Sequence, residues 1–192
     1  MGSGAGPLVL RSPRLHLRPF TGSDAAAIFR CVTPSLTRFM AWEPPSSPQA
    51  FAAVWRHWLP AMELGTEIYL VVRRSEGQRR GREDGDQECL GLIGLHDIGS
   101  RRPELGLWIK ETAQHQGYGR EALTLVAGWA SSNLAPEGFI YPVAEQNIPS
   151  RKLAEALGGQ VTGFRPGQKY NAVIYHIPRV GPFPGGGALP PN

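Results

Sequence analysis

The chain is poor in cysteine and has no long apolar run. Its 192 residues include two cysteines, Cys31 and Cys89, which are far apart in the sequence and form no CxxC pair. This pattern argues against a disulfide framework and against a structural zinc site, so no metal ligands are expected. No signal peptide is visible, and no apolar segment approaches the ~20 residues that a membrane-spanning helix needs. A reduced, cytoplasmic setting without a membrane partner is therefore expected.

The charged residues do not form a stripe of one sign along the chain. The net charge is +4, and the arginines are scattered instead of lying in a stripe, which argues against a nucleic-acid partner. The hydrophobic share of 41% is ordinary for a globular protein. We expect one domain over residues 8–180, with a flexible arm at 1–7 and a disordered Pro/Gly-rich tail at 181–192. Many charges of both signs fall in a loop at residues 73–86.

Apolar periodicity predicts the element order β-α-α-β-β-β-α-β-α-β-β, which is a mixed α/β sheet in one domain. Pro60 is expected to kink the second helix or to end it early. The third helix has the clearest pattern, with Leu123, Val126, Ala127 and Ala130 spaced as one buried face. The predicted strands cover about residues 8–18, 67–74, 89–98, 104–110, 139–143, 160–165 and 170–177, and the predicted helices about 24–32, 48–64, 120–134 and 147–157.

Residues 114–119 read Gln-His-Gln-Gly-Tyr-Gly, which has the form Gln-x-x-Gly-x-Gly. A predicted strand over residues 104–109 precedes this hexapeptide, and a predicted helix begins directly after it. Gly117 and Gly119 let the backbone approach a ligand without a Cβ in the way. A strand, a glycine turn and a helix N-terminus in that order gather several N–H groups and the positive end of a helix dipole. Such a place suits a pyrophosphate.

Order and motifs together resemble the GNAT acetyltransferase superfamily, and more narrowly its Rim-type (RimJ/RimL) ribosomal-protein N-terminal acetyltransferases. The resemblance rests on residues 10–20, 104–109, 114–122 and 147–153, and it covers roughly residues 8–178. It implies a GNAT fold, with a central, mostly antiparallel sheet of about seven strands flanked by about four helices. The sequence departs from the family pattern at Gly159, where an aromatic residue is common, and in its long charged loop.

The resemblance implies acetyl transfer from acetyl-CoA, the co-substrate, to a primary amine, without a metal. The pyrophosphate is expected on backbone N–H groups of the turn. The pantetheine arm is expected along the end of the preceding strand, where the next strand would splay away. The side chain of Trp108 is interpreted as a core aromatic. The residues expected to bind the cofactor are Trp108, Ile109, Lys110, Gln114, His115, Gln116, Gly117, Tyr118, Gly119, Arg120, Asn147 and Arg151.

The reaction needs a group that takes a proton from the amine and a group that stabilises the leaving thiolate. Glu104 is expected to be the base, acting through a water, because the family's base often lies on this strand. His96 on the preceding strand is the rival. Ser150 is expected to donate to the thiolate, and Tyr141 and Tyr118 are alternatives because many members of the superfamily use a tyrosine.

The acceptor is expected to bind near the first two helices, where Phe39, Trp42 and Glu43 would form an aromatic and acidic pocket for a cationic amine. A protein N-terminal α-amine and a small-molecule amine are both open as acceptors. Dimers are common among proteins that look like this one, so a homodimer is among the expected assemblies. The alternative function is a non-catalytic GNAT-fold module that binds acyl-CoA or scaffolds a partner.

Overall fold

The computed structural model describes residues 8–75 and 88–182. The predicted arm at 1–7, most of the predicted charged loop and almost all of the predicted tail lie outside the described residues. Within the described part of the chain, no helix is both long and apolar enough to cross a membrane. Eight strands form one sheet in the order β1-β2-β3-β4-β5-β6-β8-β7.

Six α-helices and two short 3-10 turns accompany this sheet within residues 8–75 and 88–182. The strands are Leu10–Arg11 (β1), Leu15–Pro19 (β2), Ile68–Arg74 (β3), Cys89–His96 (β4), Glu104–Ile109 (β5), Phe139–Ala144 (β6), Gln160–Arg165 (β7) and Ala172–Ile177 (β8). The helices are Ala25–Cys31 (α1), Pro34–Thr37 (α2), Pro48–Trp55 (α3), Trp58–Glu63 (α4), Tyr118–Asn133 (α5) and Ile148–Ala156 (α6), and the 3-10 turns are Gly22–Asp24 and Glu111–Ala113.

All neighbouring strands of the sheet are antiparallel except β5 and β6, which are parallel. The predicted mixed sheet is confirmed. The predicted face of α5 is also confirmed, since Leu123, Val126, Ala127 and Ala130 are all buried. Helices α1 and α3 cover the opposite side of the sheet, where Ile28 and Phe51 pack into a second apolar cluster. Both faces of the sheet are therefore covered.

The predicted first strand is divided into β1 and β2 by a tight turn at Ser12. The Ser12 hydroxyl accepts hydrogen bonds from the N–H groups of Arg14 and Leu15, at 3.3 and 2.9 Å. Ser12 in turn donates its own N–H to the carbonyl of Leu15 at 2.9 Å. A serine hydroxyl that bonds backbone N–H groups two and three residues ahead favours a turn over an extended strand. The division raises the strand count from the predicted seven to eight.

The predicted helix over 48–64 is two helices, because α3 ends at Trp55 and α4 begins at Trp58. Pro60 has no N–H to donate to the carbonyl of Arg56, and its ring would clash with that carbonyl. The chain therefore breaks one turn before the proline, and Pro60 falls in the first turn of α4. Sequence analysis did not predict α2, which begins at Pro34 and is capped by the Thr33 hydroxyl.

Candidate active site

Strands β5 and β6 separate soon after they meet. Their register contains a single pair, Glu104 with Ile140, although β5 continues to Ile109 and β6 to Ala144. The two strands therefore leave a wedge-shaped opening in the sheet beyond that pair. Two cavities meet in this opening, and both are lined by residues of β5 and by the start of α6.

The turn over residues 114–119, here called the cradle, lies at the N-terminus of α5. Gly117, the N-cap of this 16-residue helix, has φ +80° and no side-chain hydrogen bond caps the helix there. His115, two residues earlier, has φ +59°. Left-handed residues between ordinary ones turn successive N–H groups toward one point, and the helix dipole adds positive potential there. The turn fits a diphosphate chemically.

The two glycines of the turn have different roles. Gly117 is exposed and supplies the left-handed backbone conformation. Gly119 is packed inside, because a Cβ built on it would lie 3.3 Å from Leu107 and 3.7 Å from Leu153. Gly119 thus allows α5 to approach β5 and α6 closely.

The larger cavity, of about 690 Å³, runs from this cradle along β5 to α6. Its rim carries cationic side chains from three elements, and two of them, Arg38 and Lys152, were not predicted from the sequence. Positive side chains beside a helix N-terminus suit a polyanionic ligand. The predicted residues that line this cavity are Phe39, Trp108, Ile109, Gln114, His115, Gly117, Tyr118, Gly119, Arg120, Asn147 and Ser150.

Three predicted cofactor residues do not line this cavity. Lys110 Nζ donates to Glu88 at 2.6 Å, and Gln116 Nε2 donates to the carbonyl of Thr112 at 3.1 Å. Arg151 Nε donates to the Tyr175 hydroxyl at 3.1 Å. Their binding roles stay predictions.

The smaller cavity, of about 360 Å³, lies on the other side of the opening and is mainly aromatic. Among the residues predicted for the acceptor, Phe39 and Trp42 line it and Glu43 does not. The carboxylate of Glu43 is ion-paired with Lys169 at 2.7 Å. The aromatic part of the predicted pocket is thus present, while the predicted acidic group is engaged elsewhere. The aromatic residues of the cavity are Phe39, Trp42, Trp58, Tyr69, Trp108 and Tyr141.

Ser150 and Tyr141 both line the smaller cavity, and Ser150 lines the larger one as well. The Ser150 side chain interacts with the Tyr141 hydroxyl. Burial raises the pKa of Tyr141 to about 12, and the interaction with the Ser150 side chain opposes that rise. The tyrosine therefore keeps its proton at neutral pH and can donate. The helix cap beside them comes from Asn147, whose side chain accepts from the N–H of Ser150 at 3.3 Å.

The other predicted tyrosine, Tyr118, is held apart from this pair. Its hydroxyl accepts a hydrogen bond from Arg74 at 2.6 Å. The guanidinium of Arg14 also lies over its ring, 4.8 Å from the centroid. These contacts give Tyr118 a part in holding the cradle against β3.

Glu104 and His96 are cross-strand partners on one face of the sheet. Glu104 is ion-paired with Arg165 at 3.3 Å and is not among the residues that line either cavity. His96 lines the smaller cavity, and its Nδ1 lies 3.4 Å from a carboxylate oxygen of Glu67. Sequence analysis missed Glu67, since only the pairing of β3 with β4 brings it to His96. The role of Glu104 as base stays a prediction.

A splayed parallel pair, a helix N-terminus that fits a diphosphate and a neighbouring aromatic cavity are compatible with an acyltransferase that uses an acyl-CoA. Comparison of the sequence with known protein families supports this class. The model of the acetyltransferase (GNAT) domain matches residues 14–160, well over half of the chain. The protein belongs to the GNAT acetyltransferase family and is an acetyl-CoA-dependent acetyltransferase.

Individual relatives differ in their acceptors. The chain is 27% identical over 179 residues to the uncharacterized N-acetyltransferase YoaA of Bacillus subtilis (strain 168), covering 88% of this chain and 96% of YoaA. The spermidine N-acetyltransferase of Vibrio cholerae, solved with CoA and spermine, matches with a TM-score of 0.71 at 18% identity, over 88% of this chain and 97% of that one.

RimL, the ribosomal L7/L12 α-N-protein acetyltransferase solved with coenzyme A, matches with a TM-score of 0.74 at 15% identity, over the same shares of the two chains. These structural likenesses confirm the fold.

Proposed function

We propose that this acetyltransferase moves the acetyl group of acetyl-CoA directly to a primary amine while both substrates are bound. The observation that carries the proposal is that the two cavities share lining residues at the opening between β5 and β6. The shared residues are Phe39, Met40, Leu107, Trp108, Asn147 and Ser150. A co-substrate in the larger cavity and an amine in the smaller one would therefore meet at a common wall.

The residues of the larger cavity suit acetyl-CoA. Backbone N–H groups from Gln114 to Arg120 would hold the pyrophosphate, with Arg38 and Lys152 adding positive charge at the rim. The free edge of β5 at Trp108 and Ile109 would align the pantetheine arm, and an N–H there would polarise the thioester carbonyl. Ser150, supported by Tyr141, would donate to the departing thiolate.

Direct transfer is favoured over an acetyl-enzyme intermediate by the positions of the cysteines. Cys31 and Cys89 are the protein's two cysteines, and neither lines either cavity. A thiol nucleophile would have to stand within attack distance of the thioester carbonyl, at about 3–3.5 Å. The amine itself is therefore the attacking group.

The acceptor cleft suits an amine carried on an apolar or aromatic group. Its walls are aromatic, and the nearby carboxylates of Glu43 and Glu104 are each engaged with a cation. No carboxylate is among the described residues that line the cleft, so a polyamine would place second and third cations there without a directly facing partner. We infer that a monoamine or the N-terminus of a peptide with an apolar side chain is preferred.

Mass spectrometry of an amine panel incubated with acetyl-CoA tests the proposal. The panel should contain arylalkylamines, spermidine, and peptides with apolar or acidic first residues. Acetylation of apolar amines or peptides, with intersecting initial-velocity lines and no mass gain on the protein, is the expected result. A protein that binds acetyl-CoA and acetylates no amine in the panel would act as a binding module instead.

A further inference from the structure

Two glycines face each other across the floor of the acceptor cleft. Gly94 of β4 is the cross-strand partner of Gly106 of β5, and both line the smaller cavity. On the next same-face row the partners are Leu92 and Trp108, and Trp108 lies on the wall shared with the larger cavity. The paired glycines leave a hollow in the sheet surface beside the place where the thioester would lie.

The imidazole of His96 leans into this hollow. A Cβ built on Gly94 would lie 2.7 Å from His96 Nε2, and one built on Gly106 would lie 3.4 Å from the same atom. Residues on one face of a strand repeat every ~6.8 Å, so Nε2 lies about that distance from the row of Trp108. An amine nitrogen fits between Nε2 and a thioester carbonyl held at Trp108.

The other nitrogen of the ring is held from behind. Nδ1 of His96 lies 3.4 Å from Glu67, and the Tyr69 hydroxyl donates to the same carboxylate. The ring of Tyr69 also packs edge-on against the imidazole, with the centroids 5.3 Å apart. The Glu67 carboxylate thus lies on the Nδ1 side of the ring and leaves Nε2 on the side of the cleft. Among the described residues none forms a hydrogen bond to Nε2, which faces the cleft.

We propose that this hollow receives the amine of the acceptor and that His96, oriented by Glu67, takes its proton. The inference rests on the proposed acetyl transfer and assigns the base for it. Nε2 accepts one proton from the ammonium group, and the freed nitrogen attacks the thioester carbon. A C–N bond forms and the C–S bond breaks, with its electron pair going to sulfur. The second proton lost by the nitrogen passes to the thiolate at Ser150, and the proton on Nε2 leaves to solvent.

Glu104, on the same face of the sheet as His96, is less suited to act as the base. Its carboxylate is paired with Arg165, and it is absent from the lining of the cleft. A base must be within hydrogen-bond reach of the proton that it removes, directly or through one water. The two residues share one row of the register, but the imidazole of His96 extends toward the row of Gly94 and Gly106 inside the cleft, whereas the carboxylate of Glu104 is held by Arg165.

The test uses an acceptor from the amine panel and measures kcat/KM, acetyl-CoA affinity and thermal stability for each variant. His96→Gln and His96→Ala should lower kcat/KM for the amine by about 10²-fold, the usual range for a general base. Acetyl-CoA affinity and melting temperature should stay near those of the unaltered protein. Added imidazole should restore part of the activity of His96→Ala. His57→Gln, at an exposed histidine outside both cavities, is the matched control.

Two further variants keep His96 and test whether the position of its imidazole ring matters. Gly94→Ala keeps the histidine but displaces its ring from the hollow, so it should lose activity like His96→Ala. Glu67→Gln keeps the ring and removes the charge behind it, so a loss of about tenfold is expected. Full activity of His96→Gln in an otherwise active protein, with loss in Glu104→Gln, would overturn this inference alone. If the unaltered protein acetylates no amine, the proposed function itself fails.

Discussion

Arg14 Nη1 donates a hydrogen bond to the carbonyl of Gln116 at 2.9 Å, across 102 positions of sequence. The same guanidinium is ion-paired with Glu121 in the first turn of α5, and Ser12 donates to that carboxylate as well. Ser12 and Arg14, which precede β2, therefore contact both the carbonyl of Gln116 in the turn and the first turn of α5. Glu121 is almost fully buried, and these partners supply the hydrogen bonds of its carboxylate.

Arg14→Gln should weaken acetyl-CoA binding and lower the free energy of unfolding. The change leaves the buried carboxylate of Glu121 without its cation, and hydrogen bonds to charged groups contribute about 1.5–3 kcal/mol. Urea unfolding and calorimetric titration with CoA measure the two effects. Arg11→Gln, at an exposed position of β1, is the control. Unchanged unfolding and unchanged CoA affinity in Arg14→Gln would show that the contacts of Arg14 with Gln116 and Glu121 are not needed for the cradle.

Gly117→Ala should reduce acetyl-CoA affinity more than it reduces stability. Its φ of +80° costs an L-residue about 1–2 kcal/mol, and relaxation of that strain would rotate the N–H groups of the cradle. Titration with acetyl-CoA and thermal melting measure affinity and stability. Gly65→Ala is a matched control, because Gly65 has φ +68° and open space around its Cβ position. Equal affinity in the two variants would contradict the cradle.

Tyr141→Phe and Ser150→Ala should each lower kcat and leave the dissociation constant of acetyl-CoA nearly unchanged. A donor to the thiolate acts on a charge that develops during the reaction, so its loss appears in kcat, by about 10²-fold. Because the two side chains interact with each other, the double variant should lose less than the product of the single losses. Strict additivity would show that they act independently.

The pH dependence of these variants follows from the raised pKa of Tyr141. A pKa of about 12 keeps the hydroxyl protonated throughout the range in which the enzyme can be assayed. Tyr141→Phe should therefore lower the whole profile of kcat against pH between 6 and 9 by one factor without changing its shape. Loss of an alkaline limb in this variant would mean that Tyr141 titrates in that range.

The glycine turn and the start of α5 could be predicted from the sequence because they are local. Glycine at 117 and a helix starting at once behind it are features of one short segment. The opening between β5 and β6 could not be predicted, since it depends on a strand pairing that stops after Glu104 and Ile140. The pairing of Glu67 with His96 depends likewise on the register of two strands far apart in sequence.

Helix phase explains another difference between the prediction and the structure. The Asn147 cap and the start of α6 follow from the sequence pattern, but Arg151 and Lys152 are adjacent and lie ~100° apart around the helix axis. Packing of Leu153 close to Gly119 sets the rotation of α6. Lys152 consequently lines the larger cavity, and the side chain of Arg151 reaches Tyr175.

Asp24→Asn should destabilise the protein strongly at neutral pH. Burial alone would raise the pKa of Asp24, but hydrogen bonds from Arg18, Thr21 and Arg73 outweigh it, and the pKa is lowered. Arg73 is itself buried and lies 2.6 Å from the carboxylate, so neutralising Asp24 breaks a buried ion pair. Breaking such a pair costs about 3–5 kcal/mol.

The sign of the pH dependence follows from the lowered pKa. The carboxylate's contribution is present above its unfolded pKa, near 3.8, and is lost as the pH falls through the lower folded value. The difference between wild type and Asp24→Asn in urea unfolding should therefore shrink below about pH 4. Asp97→Asn, at an exposed aspartate, is the control. A difference that grows on acidification would contradict this account.

Lys169→Met should raise KM for the amine and leave the affinity for acetyl-CoA unchanged. Lys169 Nζ donates to the carbonyls of Thr37 and Trp42, at 3.0 and 3.3 Å, and is ion-paired with Glu43. The lysine thus ties the loop between β7 and β8 to the segment that carries Phe39 and Trp42 into the acceptor cleft. Without it, that segment should become more mobile and position the amine less well.

Glu43→Gln separates the effect of the Lys169–Glu43 ion pair from that of the two hydrogen bonds that Lys169 donates to backbone carbonyls. It removes the exposed ion pair, which is worth at most about 1 kcal/mol, and leaves both backbone hydrogen bonds of Lys169 in place. Its KM for the amine should therefore change by much less than that of Lys169→Met. Steady-state kinetics with varied amine at saturating acetyl-CoA make the comparison. An equal rise of KM in both variants would mean that the carboxylate of Glu43 itself contacts the acceptor, as the sequence predicts. The backbone hydrogen bonds of Lys169 would then contribute little to acceptor binding.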